Sequence, residues 1–167
     1  MLILGMDPGT ATTGYGLVKY EKGREIMVRY GVIRTSPSLS MPHRLAKIYR
    51  EYNELLDEYQ PDAVAVEELF HHKNAKTVIT VAQCRGILLM TPAERGIAIA
   101  EYTPLQVKQA VTGFGNADKK QVQIMVQKIL KLEKVPKPDD AADALAIALC
   151  HLHSHRLGSM LAGRRYS

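Results

Sequence analysis

Two short, almost wholly apolar runs in this chain stop at a carboxylate, and a third group of acids opens its most apolar long stretch. Leu2-Ile-Leu-Gly-Met6 ends at Asp7-Pro8-Gly9, and Ala63-Val-Ala-Val66 ends at Glu67-Glu68. Runs of this length fit central strands buried on both faces. Asp139, Asp140 and Asp143 lead into Ala144-Leu-Ala-Ile-Ala-Leu149. On a helix, residues three or four apart share a face. Asp143 can therefore pair with Asp140 or with Asp139, and spacing alone does not choose. A carboxylate at the mouth of a buried element either turns into water or is offset by a partner.

The rest of the chain supplies the frame. Its 167 residues make one ordinary domain, and 46% hydrophobic with 23% charged residues is the composition of a folded globular protein. After the first strand, Tyr15–Tyr20 and Glu25–Thr35 read as two more, joined at Glu21-Lys22-Gly23; Ile26, Val28, Tyr30 and Val32 alternate in the third. From Pro42 the period becomes helical, with Leu45, Ile48, Tyr49, Tyr52, Leu55, Leu56 and Tyr59 on one stripe that Pro61 ends. Residues 63–66 form the fourth strand, Thr77–Met90 a helix and Ile97–Ala100 the fifth strand. Further helices fall within Leu105–Val111 and Lys119–Leu132, and from Asp139 to about His155. The order βββ-α-β-α-β-α-α-α implies an α/β fold, a mixed sheet covered by helices. The reading is one domain over residues 1–156 and a basic, loose tail over 157–167. No signal sequence or membrane-length apolar run is present. Cys84 and Cys150 lie far apart in apolar stretches, which fits a reducing, cytoplasmic setting.

Each acid has an ordinary structural use. Asp7 can begin a turn, Glu67 and Glu68 can lie in water past a sheet edge, and Asp139 after Pro138 can cap a helix. If the first and fourth strands are neighbours and the last helix packs on them, however, four carboxylates converge. At ~5 Å and an effective dielectric of 20, each like-charged pair costs roughly 3 kcal/mol, a large fraction of a stability of about 5–15 kcal/mol. Hard divalent cations offset such repulsion through oxygen ligands, and a two-metal carboxylate site suits phosphodiester hydrolysis. The charge balance agrees. Lys plus Arg exceed Asp plus Glu by 22 to 17, and setting four site acids aside leaves 13 acids, a balance of +9. A basic exterior round an acidic pocket fits a nucleic-acid partner.

At these residues the chain resembles the RuvC family of Holliday junction resolvases. The matching stretches are Gly5-Met-Asp7-Pro-Gly9-Thr-Ala-Thr-Thr-Gly14-Tyr-Gly16, Val66-Glu67-Glu-Leu-Phe70-His-His-Lys73-Asn74 and Gln83-Cys-Arg85-Gly86. They continue with Gln106-Val-Lys108-Gln109, Gly113-Phe-Gly115-Asn-Ala117-Asp-Lys119-Lys-Gln121-Val122 and Asp140-Ala-Ala-Asp143-Ala. The resemblance implies an RNase H-like fold, a five-stranded sheet of three antiparallel strands followed by two parallel ones, flanked by helices. It selects Glu67 over Glu68, because the family acid precedes its aromatic by three residues. It likewise selects Asp140 and Asp143, leaving Asp139 as a helix cap. Asp7, Glu67, Asp140 and Asp143 become the catalytic, metal-holding set, with two Mg²⁺ per site and Mn²⁺ as a substitute. Implied too are a homodimer making paired nicks with ligatable 5′-phosphates, four-way junction DNA as substrate, and the RuvA and RuvB branch-migration complex as partner.

The same resemblance makes Phe70 an aromatic wedge at the junction crossover rather than a core residue. It makes Lys73, Asn74, Arg85, Lys108 and Lys119 contacts to the DNA backbone. His151, His153 and His155 beside Cys150 invite zinc, but only His151 and His155 share a helix face and no second ligand cluster appears, so a structural role is expected. Two other readings have their own tests. Asp7-x-Gly9-Thr10 with Gly14 is also similar to the phosphate loop of actin- and sugar-kinase-like ATPases, whose fold needs two such domains; nucleotide binding would reveal it. A catalytically silent DNA-binding module of the same fold would bind junctions and cut none.

Overall fold

Residues 2–7 are buried on both faces because alternate side chains enter two separate cores. Ile3 joins Val18, Ala63 and Ala65 on one side, whereas Leu4 and Met6 join Leu17, Val64 and Val66 on the other. The computed structural model describes residues 1–69 and 75–163. Five strands, β1 (Leu2–Asp7), β2 (Thr12–Glu21), β3 (Arg24–Arg34), β4 (Ala63–Glu67) and β5 (Ala98–Tyr102), form one sheet in the order β3-β2-β1-β4-β5. β1, β2 and β3 run antiparallel, and β4 and β5 are parallel to β1. This is the mixed sheet that the element order implies.

Helices α1 (Met41–Tyr59) and α2 (Ala75–Glu94) cover one face, burying Ile48, Tyr52, Leu56, Cys84 and Leu88. Helices α3 (Pro104–Thr112), α4 (Lys119–Ile129) and α5 (Asp139–Gly163) cover the other. α5 lies across β1 and β2, and its segment from Ala144 to Cys150 is buried throughout. Glycine permits this. A Cβ on Gly5 would overlap the backbone of Ala144 and Ala148, and one on Gly14 would overlap the backbone of Asp140. With no side chains at these points, the helix backbone sits directly on the strands. The two cysteines are free and lie on opposite sides of the sheet.

Three expectations need amendment. The stripe Ile26, Val28, Tyr30 and Val32 does not occupy one face. A bulge skips Val28 in the pairing of β3 with β2, so Met27 and Tyr30 pack on the α5 side while Ile26 and Val28 stay exposed. α5 continues to Gly163, beyond the helix end expected near His155. Asp139 is the first helical residue and not the cap; the Pro138 carbonyl accepts from Ala141 and Ala142, and the Asp139 side chain pairs with Lys137 at 2.7 Å.

Candidate active site

Strand register puts the first two acids side by side. Met6 of β1 pairs with Val66 of β4, so Asp7 and Glu67 close two neighbouring parallel strands, about 4.8 Å apart in the hydrogen-bonding direction. By alternation both belong to the face of Ile3, Gly5, Ala63 and Ala65, the face that α5 covers. Gly14 is the antiparallel partner of Asp7, and it receives the backbone of Asp140. The opening turn of α5 is thereby brought to the strand ends, with Asp143 one turn further along.

These carboxylates interact electrostatically. Burial raises the Asp7 pKa well above the usual carboxylate range, and the charges of Glu67, Asp143 and Asp140 raise it further. Glu67 is pushed up to about 7, by burial and then by Asp143, against the opposing effect of Lys119 and Lys108. Asp143 is raised by burial, partly countered by its hydrogen bond to Lys119. Among the described residues no group of three or more His, Cys, Asp or Glu side chains is gathered closely enough to hold a metal ion. Two of the four acids, Glu67 and Asp143, line a pocket of about 260 Å³ together with Pro104, Val107, Lys108, Lys119, Val122 and Ala146. A larger groove of about 470 Å³ between α1 and the sheet is lined by Tyr15, Lys47, Arg50, Glu51, Glu54 and Glu58 among others, and by none of the four site acids.

The cations divide into three groups. Lys119 belongs to the pocket: its Nζ lies 2.9 Å from Asp143 Oδ2 and 3.8 Å from Asp139 Oδ2. Lys108 lines the same pocket. Arg85, half-buried on α2, donates from Nε to the Glu67 carbonyl at 3.1 Å and pairs through Nη2 with Glu101. It thus ties the end of β4 to β5 and α2, immediately behind the Glu67 carboxylate. Phe70, His71, His72, Lys73 and Asn74 lie outside the described residues. The histidines of α5 have structural partners: His151 Nδ1 is 2.9 Å from the Tyr102 hydroxyl, and His153 is placed between the Ala110 carbonyl and Glu25.

The sequence reading lacks two features of the site. One is the role of Gly5 and Gly14, whose signal is a glycine within each of two apolar strands facing the small-residue run Ala141–Ala148. The other is the position of Lys119. Asp118 caps α4 by accepting from Gln121 N at 2.8 Å, and Gln121 Oε1 accepts from Asp118 N in return. Lysine in the first turn opposes the helix dipole by about 0.3–1 kcal/mol. A capping box followed at once by Lys-Lys is therefore a sign that the cation serves something outside its own helix.

A profile described as crossover junction endodeoxyribonuclease RuvC matches residues 3–151. The crossover junction endodeoxyribonuclease RuvC of Syntrophomonas wolfei is 66% identical over 161 residues, covering 96% of this chain and 94% of that protein. Among solved structures, Thermus thermophilus RuvC in complex with a Holliday junction substrate aligns with a TM-score of 0.90 and 37% identity, over 95% of this chain and 96% of that one. The yeast mitochondrial Holliday junction resolvase Ydc2 aligns at 0.67 and 14% identity, over 90% and 77%, a likeness of fold alone.

Proposed function

Because the chain belongs to the RuvC family of crossover junction endodeoxyribonucleases, we propose that it resolves four-way DNA junctions by hydrolysing phosphodiester bonds with Asp7, Glu67, Asp140 and Asp143. One observation carries the assignment. Asp7, Glu67 and Asp143 are far apart in sequence, yet the charges of Glu67 and Asp143 act on Asp7 at the end of the neighbouring strand, and Glu67 and Asp143 line one pocket with Lys108 and Lys119.

The donor set fits hard divalent cations. It is entirely carboxylate, partly buried, and more negative than its two lysines offset, the chemistry that favours Mg²⁺ or Mn²⁺ over zinc. Asp7, Glu67, Asp140 and Asp143 would hold two Mg²⁺, with Mn²⁺ as a substitute. Bound there, such ions activate a water and stabilise the leaving oxygen. Asp7 and Glu67 are fixed by the strands and Asp140 and Asp143 by α5, so the set is preorganised. Arg85 holds the end of β4 in place. Lys108 and Lys119 attract the phosphate, and Lys119 exchanges Asp143 for it as DNA arrives. Lys73 and Asn74 extend the contact along the backbone, and Phe70 separates bases at the crossover.

Each chain carries one such site, and paired nicks need two. We assign a homodimer, products with ligatable 5′-phosphates, and delivery of the junction by a RuvA and RuvB branch-migration complex. The test is a labelled four-way junction beside a linear duplex, each with Mg²⁺ or with EDTA. Cleavage of the junction alone, in Mg²⁺ alone, is expected. In Asp140→Asn cleavage falls by more than about 100-fold, beyond the 10–100-fold lost when a group that merely orients a ligand is removed, and junction binding is retained. Wild-type turnover in Asp140→Asn would remove Asp140 from the site. Nucleotide binding without cleavage would favour the ATPase-like reading.

A further inference from the structure

Resting on that reading, we propose that Phe114 and Leu105 form an apolar platform on which an unstacked nucleobase of the junction docks beside the catalytic pocket. Both are large apolar residues held in water, Phe114 57% exposed and Leu105 61%. Exposed apolar side chains beside a polar rim mark interaction sites. Their position identifies the partner. α3 is anchored by buried Val107 and Val111, and Lys108 extends from it into the pocket. Leu105 is one turn before Lys108 on a shared face. Phe114 follows the helix by two residues and stands five before Lys119, so the chain carries it between the two pocket lysines, while Leu105 lines a separate groove with Gln109 and Gly115 of the same loop. Lys120 beside them is exposed.

The platform is held rigidly. Gly113 ends α3 at φ 75° and donates to the Gln109 carbonyl at 2.9 Å, while Gln109 Nε2 donates back to the Gly113 carbonyl at 2.9 Å. Phe114 N donates to Thr112 Oγ1 at 3.0 Å, and Ala117 N donates to the Phe114 carbonyl at 3.1 Å. Leu105 packs on the same loop; a Cβ at Gly115 would stand 2.9 Å from Leu105 Cδ1. Every one of these bonds uses backbone or neighbouring side chains, so none depends on the phenyl ring. A preorganised ring on the loop that joins two lysine-bearing helices matches how unpaired strands are bound, by basic grooves with aromatic stacking that tolerates any base. A protein partner would gain nothing from the surrounding lysines unless it were acidic, whereas DNA satisfies ring and lysines together.

The experiment compares wild type, Phe114→Ala, Phe114→Leu and Phe114→Tyr in EDTA. The probe is a fluorescein-labelled four-way junction carrying 2-aminopurine at one position at a time near the crossover. Wild type should change the 2-aminopurine signal at one or two positions. Phe114→Ala and Phe114→Leu should abolish that change and weaken junction affinity roughly 5- to 100-fold, the effect of losing one base–aromatic stack. Phe114→Tyr should restore both, and melting temperature and linear-duplex binding should stay at wild-type values. Junction affinity and 2-aminopurine signals unchanged in Phe114→Leu would overturn the platform and leave the resolvase reading intact. An altered oligomeric state with unchanged junction binding would reassign the patch to a protein contact and overturn it as well. Failure of wild type to prefer the junction would sink both.

Discussion

Glu67 shows how far a single carboxylate can be carried from its ordinary behaviour by its neighbours. Its pKa stands at about 7 against 4.5 for a free glutamate, through burial first and Asp143 second. Raised in the folded state, it contributes stability that is full below about pH 4.5 and disappears as pH climbs through about 7. In EDTA the protein should therefore melt lower at pH 8 than at pH 5. At 1.36 kcal/mol per unit the whole effect is about 3 kcal/mol, and screening at the open side reduces it to the order of 1–2 kcal/mol. Glu67→Gln should raise the melting temperature by about 3 to 8 °C at pH 8 and leave it unchanged at pH 4.5. Calorimetry of the two proteins across that range decides it; parallel curves at every pH would remove Glu67 from the buried cluster. Adding Mg²⁺ should close the gap from the other side, stabilising wild type at pH 8 more than Glu67→Gln. The acid at position 67 was legible from the sequence because a buried strand ended on it. The size of its shift was not, because part of it comes from the charge of Asp143 on α5, 76 residues later in the chain.

Among the secondary-structure elements, α5 decides whether the acids meet at all. Its run from Ala141 to Ala148 reads from the sequence as a buried helix, and the periodicity of α1 is equally plain. The contact between α5 and the sheet is less so, since it depends on hydrogen atoms at Gly5 and Gly14 rather than on any side chain. The β3 bulge escapes a period-two reading for a similar reason: pairing partners, not the strand's own residues, decide where a residue is skipped. Gly14→Ala separates these influences. Its methyl group would overlap the Asp140 backbone, and the added volume costs about 1–3 kcal/mol or more. The helix start must shift by an ångström or so. Junction cleavage in Mg²⁺ should then fall by about 100-fold, the loss that a 1 Å misplacement causes, under conditions where circular dichroism shows the protein folded. Gly23→Ala, at a turn where a Cβ meets nothing, is the comparison: its φ of 80° costs stability but should leave cleavage by the folded fraction at the wild-type rate. Equal cleavage by both variants would mean that the seating of α5 does not position the carboxylates.

For the molecule as a whole, charge and copy number set the chemistry. A surplus of +9 outside the four site acids should make junction binding fall steeply with salt, whereas the carboxylate pocket repels DNA until cations fill it. On the proposed function, one chain brings one pocket to a junction that is cut twice. A chain inactivated by Asp7→Asn tests this, because Asp7 is buried and feels the charges of all three other acids of the set, and its loss leaves the basic surface unchanged. Mixed dimers of wild type and Asp7→Asn, prepared with two affinity tags, should bind a cruciform plasmid as tightly as wild type. They should convert it to nicked circles, since the second strand meets no functional site before the molecule relaxes. Wild-type dimers should give linear product from the same plasmid, and Asp7→Asn homodimers neither. Linear product from the mixed species at the wild-type rate would show that one pocket cuts both strands, and the requirement for two copies would have to be abandoned.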